Sequence, residues 1–307
     1  PSLTLVWARQ RDLGSAIKKI ALDTAPNSFD DQYLRCHFKM VRVLPTLTEF
    51  VPHDDYAEAW NRAAAKWGSR PYLGRPFLLQ LEQAIALLAY TMEEGLYLEF
   101  NRAVRVAGRS RREYLDTFHF KVLHFLLTEA LSELRGAQGH PHCLHVYRGI
   151  DGIRFTSRIG QIIRFGQFAS ASLLKNVSES YGTRTTFEVD TCHGADIRYF
   201  SNYPEEEEVL IPPFETFKVT NITHQGDDIY IHLRSHGVHS KYNCAWFRGW
   251  GGPGTGCPEK LWLPRPWKCS RSGWTGLGPV EGVPAHGTEQ NKMSCKVPPT
   301  HHRPRIP

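Results

Sequence analysis

Apolar residues recur at helical spacing through the first 140 positions and at strand spacing afterwards, with the change of period near Cys143. From Asp54 the series Tyr56, Ala59, Trp60, Ala63 and Trp67 marks one helix face, ended by Gly68. A second helix is predicted over 76–94, with Phe77, Leu81, Ile85 and Leu88 as its apolar face and Pro76 in the first turn, where a missing donor costs nothing. Ser110 and Glu113 have the spacing of a capping box. Behind them Tyr114, Phe118, Val122, Phe125, Leu126 and Leu131 predict one long helix to about Leu134, stopped by 136–141.

Beyond Cys143, short runs rich in branched and aromatic residues, at 144–147, 185–189, 209–211, 217–220 and 228–233, are separated by Gly, Pro, Asn or Asp. A helix is predicted at 173–181. Long helices do not alternate with these runs, so the pattern predicts an α+β protein and not a doubly wound parallel sheet. After Phe247 the periodicity stops. The last sixty residues hold half of the chain's 20 prolines and, besides Trp250, the tryptophans Trp262, Trp267 and Trp274. The expected organisation is an N-terminal extension over 1–20, a mainly helical part over 21–140 packed with a β-rich part over 141–247, and a poorly ordered Pro/Gly-rich tail over 248–307.

Composition narrows the class. Hydrophobic residues make up 41% and charged residues 22%, ordinary for a soluble globular protein of 307 residues. A net charge of +6 without a basic run gives no reason to expect nucleic acid as a partner. No stretch of eighteen apolar residues predicts a spanning helix. The seven cysteines, Cys36, Cys143, Cys192, Cys244, Cys257, Cys269 and Cys295, form no CxxC pair, so no metal cluster is expected. Wide cysteine spacing and two sequons, at Asn176 and Asn221, fit an exported protein. The start at Pro1, without an initiator Met, points to a processed or truncated N-terminus, and 3–8 is too short and weak for a signal peptide, though a longer one could have been lost upstream.

Three places carry candidate chemistry. Four acids, Glu205 to Glu208, run into Val209, Leu210, Ile211 and two prolines. Taken alone this is a solvated turn before a strand; in an extended segment, Glu206 and Glu208 would point into one cleft while Glu205 and Glu207 face away. Arg148 and Gly149 follow a predicted strand, where an arginine fork can grip a diphosphate and a glycine lets a ligand approach the backbone. Ser170 and Ser172 share a face if their segment is extended, and Ser172 is also placed to cap the helix that follows. There is no G-x-S-x-G elbow, G-x-G-x-x-G unit or Walker loop, so neither serine hydrolysis nor a standard nucleotide cradle is indicated.

Read in order, these pieces resemble the vertebrate arginine-specific mono-ADP-ribosyltransferases, an extracellular family related to arginine-modifying bacterial toxins. The family signature is Arg, then Ser, then Glu-x-Glu, matched by Arg148 in Val-Tyr-Arg-Gly, Ser170 in Phe-Ala-Ser-Ala-Ser-Leu, and Glu206 and Glu208 before Val-Leu-Ile-Pro-Pro-Phe-Glu. The likeness extends to Asp23–Tyr33, His119–Leu127 and Tyr242–Cys244, and covers about 20–246. It implies an NAD-binding ADP-ribosyltransferase core that takes NAD as substrate, with no metal. Arg148 would bind the NAD diphosphate and Gly149 the nicotinamide amide, while Phe187 would stack on the nicotinamide ring. Ser170 would place Glu208 on the nicotinamide ribose, Ser170 and Ser172 would both belong to the NAD-binding set, and Glu206 would orient and help deprotonate the acceptor guanidinium. The resemblance also implies disulfides Cys36–Cys244 and Cys143–Cys192.

The expected acceptor is an arginine-bearing protein or a small guanidino compound, and the protein is expected to be a monomer. It is expected outside the cell, secreted or at the surface. Many relatives end in a hydrophobic tail exchanged for a glycolipid, whereas this C-terminus is basic and Pro/Gly-rich, which favours a secreted form and leaves anchoring open. Two other readings use the same scaffold: an NAD glycohydrolase, with water as acceptor, and a non-enzymatic surface binding protein, against which the intact signature weighs.

Overall fold

A computed structural model describes residues 18–46, 54–70, 78–92, 94–138 and 143–247. The expected tail over 248–307 and most of the expected extension over 1–20 lie outside these residues.

A short strand β1 (Lys18–Ala21) opens the described chain, a strand the helical reading of this part did not foresee. Helices α1 (His37–Val43), α2 (Asp54–Ser69), α3 (Leu81–Met92), α4 (Glu94–Ala107), α5 (Arg111–Thr117) and α6 (Lys121–Ala137) follow. The helix expected over 76–94 begins at Leu81, with 78–80 non-helical, and Leu81 is exposed. Its continuation, α4, was not foreseen as a separate helix. The capping box is present: Ser110 Oγ accepts from the Glu113 amide at 3.0 Å. The single long helix expected behind it is two. Phe118 leaves the helical region at φ −85, ψ 98, and α6 restarts at Lys121. The break turns Phe118 and Phe120 inward together, both almost wholly buried and 6.2 Å apart, as the face of one straight helix would not.

The strands that follow are β2 (Leu144–Ile150), β3 (Ile153–Thr156), β4 (Ile162–Ile163), β5 (Ala169–Ser172), β6 (Thr185–Thr191), β7 (Ala195–Asp196), β8 (Glu208–Ile211), β9 (Glu215–Gln225) and β10 (Asp228–Val238), with α7 (Lys175–Ser180) after β5. They form an eight-stranded sheet in the order β4-β9-β10-β6-β2-β5-β8-β7, while β1 pairs with β3. Only β10 and β6 run parallel within the large sheet. The α+β expectation holds.

Both disulfides implied by the resemblance are present. Cys36–Cys244 closes a separation of 208 residues and Cys143–Cys192 one of 49. Around the first, Asp31 accepts from the amides of Tyr33, Cys244 and Ala245. Nearby, Asp30 forms a fully buried 2.7 Å ion pair with Arg164, whose other donors satisfy the carbonyls of Thr24, Ala25 and His239. A buried charge pair survives only with its remaining donors and acceptors satisfied, as these are. Together these contacts tie the 23–31 segment to the end of the sheet.

The helical core reaches the sheet through an aromatic cluster. Phe168 packs 5.5 Å from Phe100 and 5.4 Å from His124, and its carbonyl accepts from Tyr90 Oη. His124 is fully buried between Tyr33 Oη and the Phe29 carbonyl, and burial pushes its pKa down to about 3, so it sits there neutral. Phe168 lies two residues before Ser170, so packing of the helices fixes the start of β5.

Candidate active site

The candidate residues meet where the sheet opens. Strands β2 and β5 share one register pair, Tyr147 with Ser172. Continuing that register would set Arg148 against Ala171 and Gly149 against Ser170, but neither pair forms, so the strands part. Arg148 spans the notch, its Nη1 donating to the Ser170 carbonyl at 2.5 Å. On its other edge β2 remains paired with β6, which places Arg148 opposite Phe187 and Gly149 opposite Thr186.

Strand β8 pairs with β5 so that Glu208 stands opposite Ser172 and Leu210 opposite Ser170. Facing residues of an antiparallel pair share a side, so Ser170, Ser172 and Glu208 lie on one face. Glu208 is 1% exposed, and Ser201 Oγ donates to its Oε2 at 3.1 Å. Burial, resisted by the Ser170 hydroxyl and reinforced by the charge of Glu206, pushes the Glu208 carboxyl up to about 7. The Ser170 hydroxyl lies close enough to favour the charged carboxylate, yet Ser170 Oγ and Glu208 Oε1 have no partner of regular hydrogen-bond geometry among the described residues. Two adjacent buried polar atoms left in this state fit the hydroxyls of a ribose.

Glu206 reaches the same place by a different route. Residues Pro204–Glu206 form a 3-10 turn, and Glu207 has left-handed φ 45 and ψ 50, a costly conformation for a residue with a Cβ. The turn, and not strand alternation, brings Glu206 beside Glu208. The Glu206 carboxylate accepts from Tyr181 Oη, and its carbonyl accepts from Ser172 Oγ at 2.6 Å. Ser172 also accepts from the Leu174 amide at 2.9 Å, but Leu174 occupies the cap position of α7, so Ser172 ties the turn to β5 and does not cap the helix. Glu205 is exposed, and Glu207 meets Arg198 at 3.3 Å.

Gly149 has a steric reason to be glycine. A Cβ there would lie 2.1 Å from the Ser178 carbonyl oxygen and 2.4 Å from that of Gly182. The close approach seats the end of α7, and with it Tyr181, against β2. Phe187 is 1% exposed between Phe155 and Phe165, at 5.5 and 5.6 Å. Arg148 and Phe187 line a cleft of about 220 Å³ shared with Leu22, Asp23, Asn27 and Arg105. The guanidiniums of Arg148 and Arg105 are pushed below the usual arginine range by burial, and Arg148 adds to the effect on Arg105, while Arg164, which also lines the cleft, is paired with Asp30. Two cations held together in one cleft favour a ligand carrying more than one negative charge.

Sequence reasoning did not single out Tyr181, Ser201, Tyr90, Asn101 or Arg105. Tyr90 Oη accepts from Asn101 Nδ2 at 3.0 Å beneath β5. The four-residue spacing of Asn101 and Arg105 on one helix was a readable signal. Tyr181 and Ser201 become visible only through contacts across the chain. Among the described residues no group of His, Cys, Asp and Glu is arranged to hold a metal ion.

The sequence model of the family described as NAD:arginine ADP-ribosyltransferase matches residues 22–241. NAD(P)(+)--arginine ADP-ribosyltransferase 2 of Gallus gallus is 47% identical over 287 residues, covering 90% of this chain and 90% of that protein. GPI-linked NAD(P)(+)--arginine ADP-ribosyltransferase 1 of Homo sapiens is 45% identical over 260 residues, covering 78% of this chain and 77% of its own length. The crystal structure of the eucaryotic mono-ADP-ribosyltransferase ART2.2 superposes with a TM-score of 0.61 at 36% identity, over 73% of this chain and 98% of that one.

Proposed function

The chain belongs to the NAD:arginine ADP-ribosyltransferase family, and from that premise we propose how its residues divide the reaction. The protein transfers ADP-ribose from NAD to arginine side chains and releases nicotinamide. It acts outside the cell, secreted or at the cell surface, like the GPI-linked and ecto-enzyme relatives. No described helix is long and apolar enough to cross a membrane. Residues 21–247 form the catalytic unit on this reading.

The observation that carries the assignment is the pairing of one buried and one half-buried carboxylate, Glu208 and Glu206, at the notch spanned by Arg148. Arg148, with Arg105 beside it, holds the diphosphate. The backbone of Gly149 meets the nicotinamide amide, and Phe187 supplies the aromatic wall for the ring. Glu208, positioned by Ser170 and with Ser172 holding the adjoining turn, accepts from a nicotinamide ribose hydroxyl. As the bond from ribose C1′ to the nicotinamide nitrogen breaks, its electron pair leaves with nicotinamide, and the Glu208 carboxylate stabilises the cation left on the sugar. An arginine guanidinium is protonated at neutral pH and a poor nucleophile. Glu206 takes its proton as the nitrogen bonds to C1′, while Tyr181 fixes the direction in which the Glu206 carboxylate points.

Incubation with labelled NAD and agmatine, followed by separation of conjugate from free ADP-ribose, tests this division. Glu208→Gln is expected to lower both products by about 10³-fold, the scale set by removing one electrostatic stabiliser of a transition state. Activity surviving that change would overturn the assignment of Glu208.

A further inference from the structure

We propose that Arg70 is a positioning residue that locks the loop over 197–207 onto the helical half and sets how much ADP-ribose reaches arginine rather than water. The proposal rests on the roles given above to Glu206 and Glu208.

Arg70 directly follows α2. Its Nη1 donates to the Tyr199 carbonyl and its Nη2 to the Ser201 carbonyl, each at 2.8 Å, so one guanidinium fork grips two carbonyls of the loop. The fork lies 4.9 Å from the Trp67 ring, and that ring stacks on Phe200 at 5.7 Å with 12° between planes. The next loop residue is held the same way: Lys66 Nζ donates to the Asn202 side chain, and the Asn202 amide donates to Thr91 Oγ1 at 2.9 Å. Residues 199–202 are therefore attached to the ends of α2 and α3.

From this anchor the chain runs straight to the two carboxylates. The Ser201 hydroxyl accepts from the Tyr203 amide at 3.1 Å and donates to Glu208. The Tyr203 carbonyl accepts from the Glu206 amide at 3.1 Å. The dependence is unequal. Glu208 is the first residue of β8, so its backbone is fixed by pairing with β5 and only one bond to its side chain, from Ser201, comes from the loop, whereas the Glu206 turn has side-chain bonds from Ser172 and Tyr181 in place of strand pairing. Glu206 is half-buried on the turn that ends the loop, so slack at Tyr199 and Ser201 displaces it more than Glu208. Misplacing a reacting group by about 1 Å costs on the order of 10²-fold in rate. Lysine keeps the charge but lacks the planar fork, and so holds two carbonyls less well.

The test assays Arg70→Gln and Arg70→Lys with labelled NAD and agmatine beside Glu206→Gln, reading the ratio of conjugate to free ADP-ribose, the KM for NAD and the melting temperature. For Arg70→Gln the ratio is expected to fall about tenfold or more while KM for NAD stays within about twofold, with Arg70→Lys in between. An unchanged ratio, or both products falling in proportion, would make Arg70 merely structural and overturn the inference. If Arg70→Gln does not fold, the ratio in Arg70→Lys decides alone. A lowered ratio in Glu206→Gln with an unchanged one in the Arg70 variants sinks only the inference; an unchanged ratio in Glu206→Gln removes the role of Glu206 on which both stand.

Discussion

The acid on the floor of the site, Glu208, and the acid on its rim, Glu206, lie two residues apart in sequence and are held on opposite principles. The floor, Ser170, Ser172 and Glu208, belongs to two paired strands and is sealed from water. The rim, from Ile197 to Glu207, lies outside the ladder of β5 and β8 and is held mainly by side chains, those of Arg70, Lys66, Thr91, Ser172 and Tyr181, with single backbone bonds at Ile197 and Glu207. Burial raises the pKa of the floor carboxylate, and the same low dielectric would strengthen its attraction for a cation formed beside it on the proposed roles. The rim carboxylate is half-exposed, which leaves a route for a macromolecular acceptor. A donor substrate of fixed shape suits a rigid, dry floor.

The comparison breaks if the two acids prove interchangeable. Replacing Glu206 by Gln is expected to lower transfer to agmatine by about 10²-fold and leave NAD hydrolysis largely intact, because the lost contribution is that of a general base. Equal loss of both products would put floor and rim in one unit. The next effect is in pH. With the Glu208 carboxyl raised to about 7 before substrate binds, kcat/KM for NAD should fall below that point, approaching tenfold per pH unit as the carboxylate takes up its proton. The positive charge on bound nicotinamide favours ionisation, so the limb in kcat should lie at lower pH. A kcat/KM profile flat from pH 5 to 8 would count against a buried acid at the donor site. The smallest effect concerns Tyr181, whose hydroxyl orients only the rim. Tyr181→Phe is expected to reduce transfer about tenfold, the low end of the worth of one hydrogen bond to a charged group, with KM for NAD unchanged. A change in KM for NAD instead would assign Tyr181 to the floor.

Much of this was legible in the chain. The β-rich half was readable because its strands carry branched and aromatic residues between turn formers, and the helix over Asp54–Ser69 because its apolar positions keep a helical period. The break at Phe118–Phe120 was not, since no proline or glycine marks it and the inward turn of two phenylalanines is decided by their partners. The four signature residues could be picked out in the chain and the structure brings them together, but the local reason given for Glu206 and Glu208 was incomplete. Strand alternation does not describe a 3-10 turn followed by a left-handed residue. Gly149 shows the same gap. Its place in the signature was visible, while the two carbonyls that forbid a Cβ there come from α7 and the residues after it.

By itself the sequence determined the α+β class and the order of Arg148, Ser170, Glu206 and Glu208, and through these its resemblance to the family, because they are carried by residue identity and by periods short enough to read along the chain; the cysteine pairs were implied only by that resemblance. The tertiary structure decided which carboxylate is buried, that β2 and β5 part where Arg148 can span them, and that the ends of two helices hold the rim. These depend on contacts between residues as far apart as Arg70 and Ser201, and on a local dielectric that exists only once the chain has closed around Glu208.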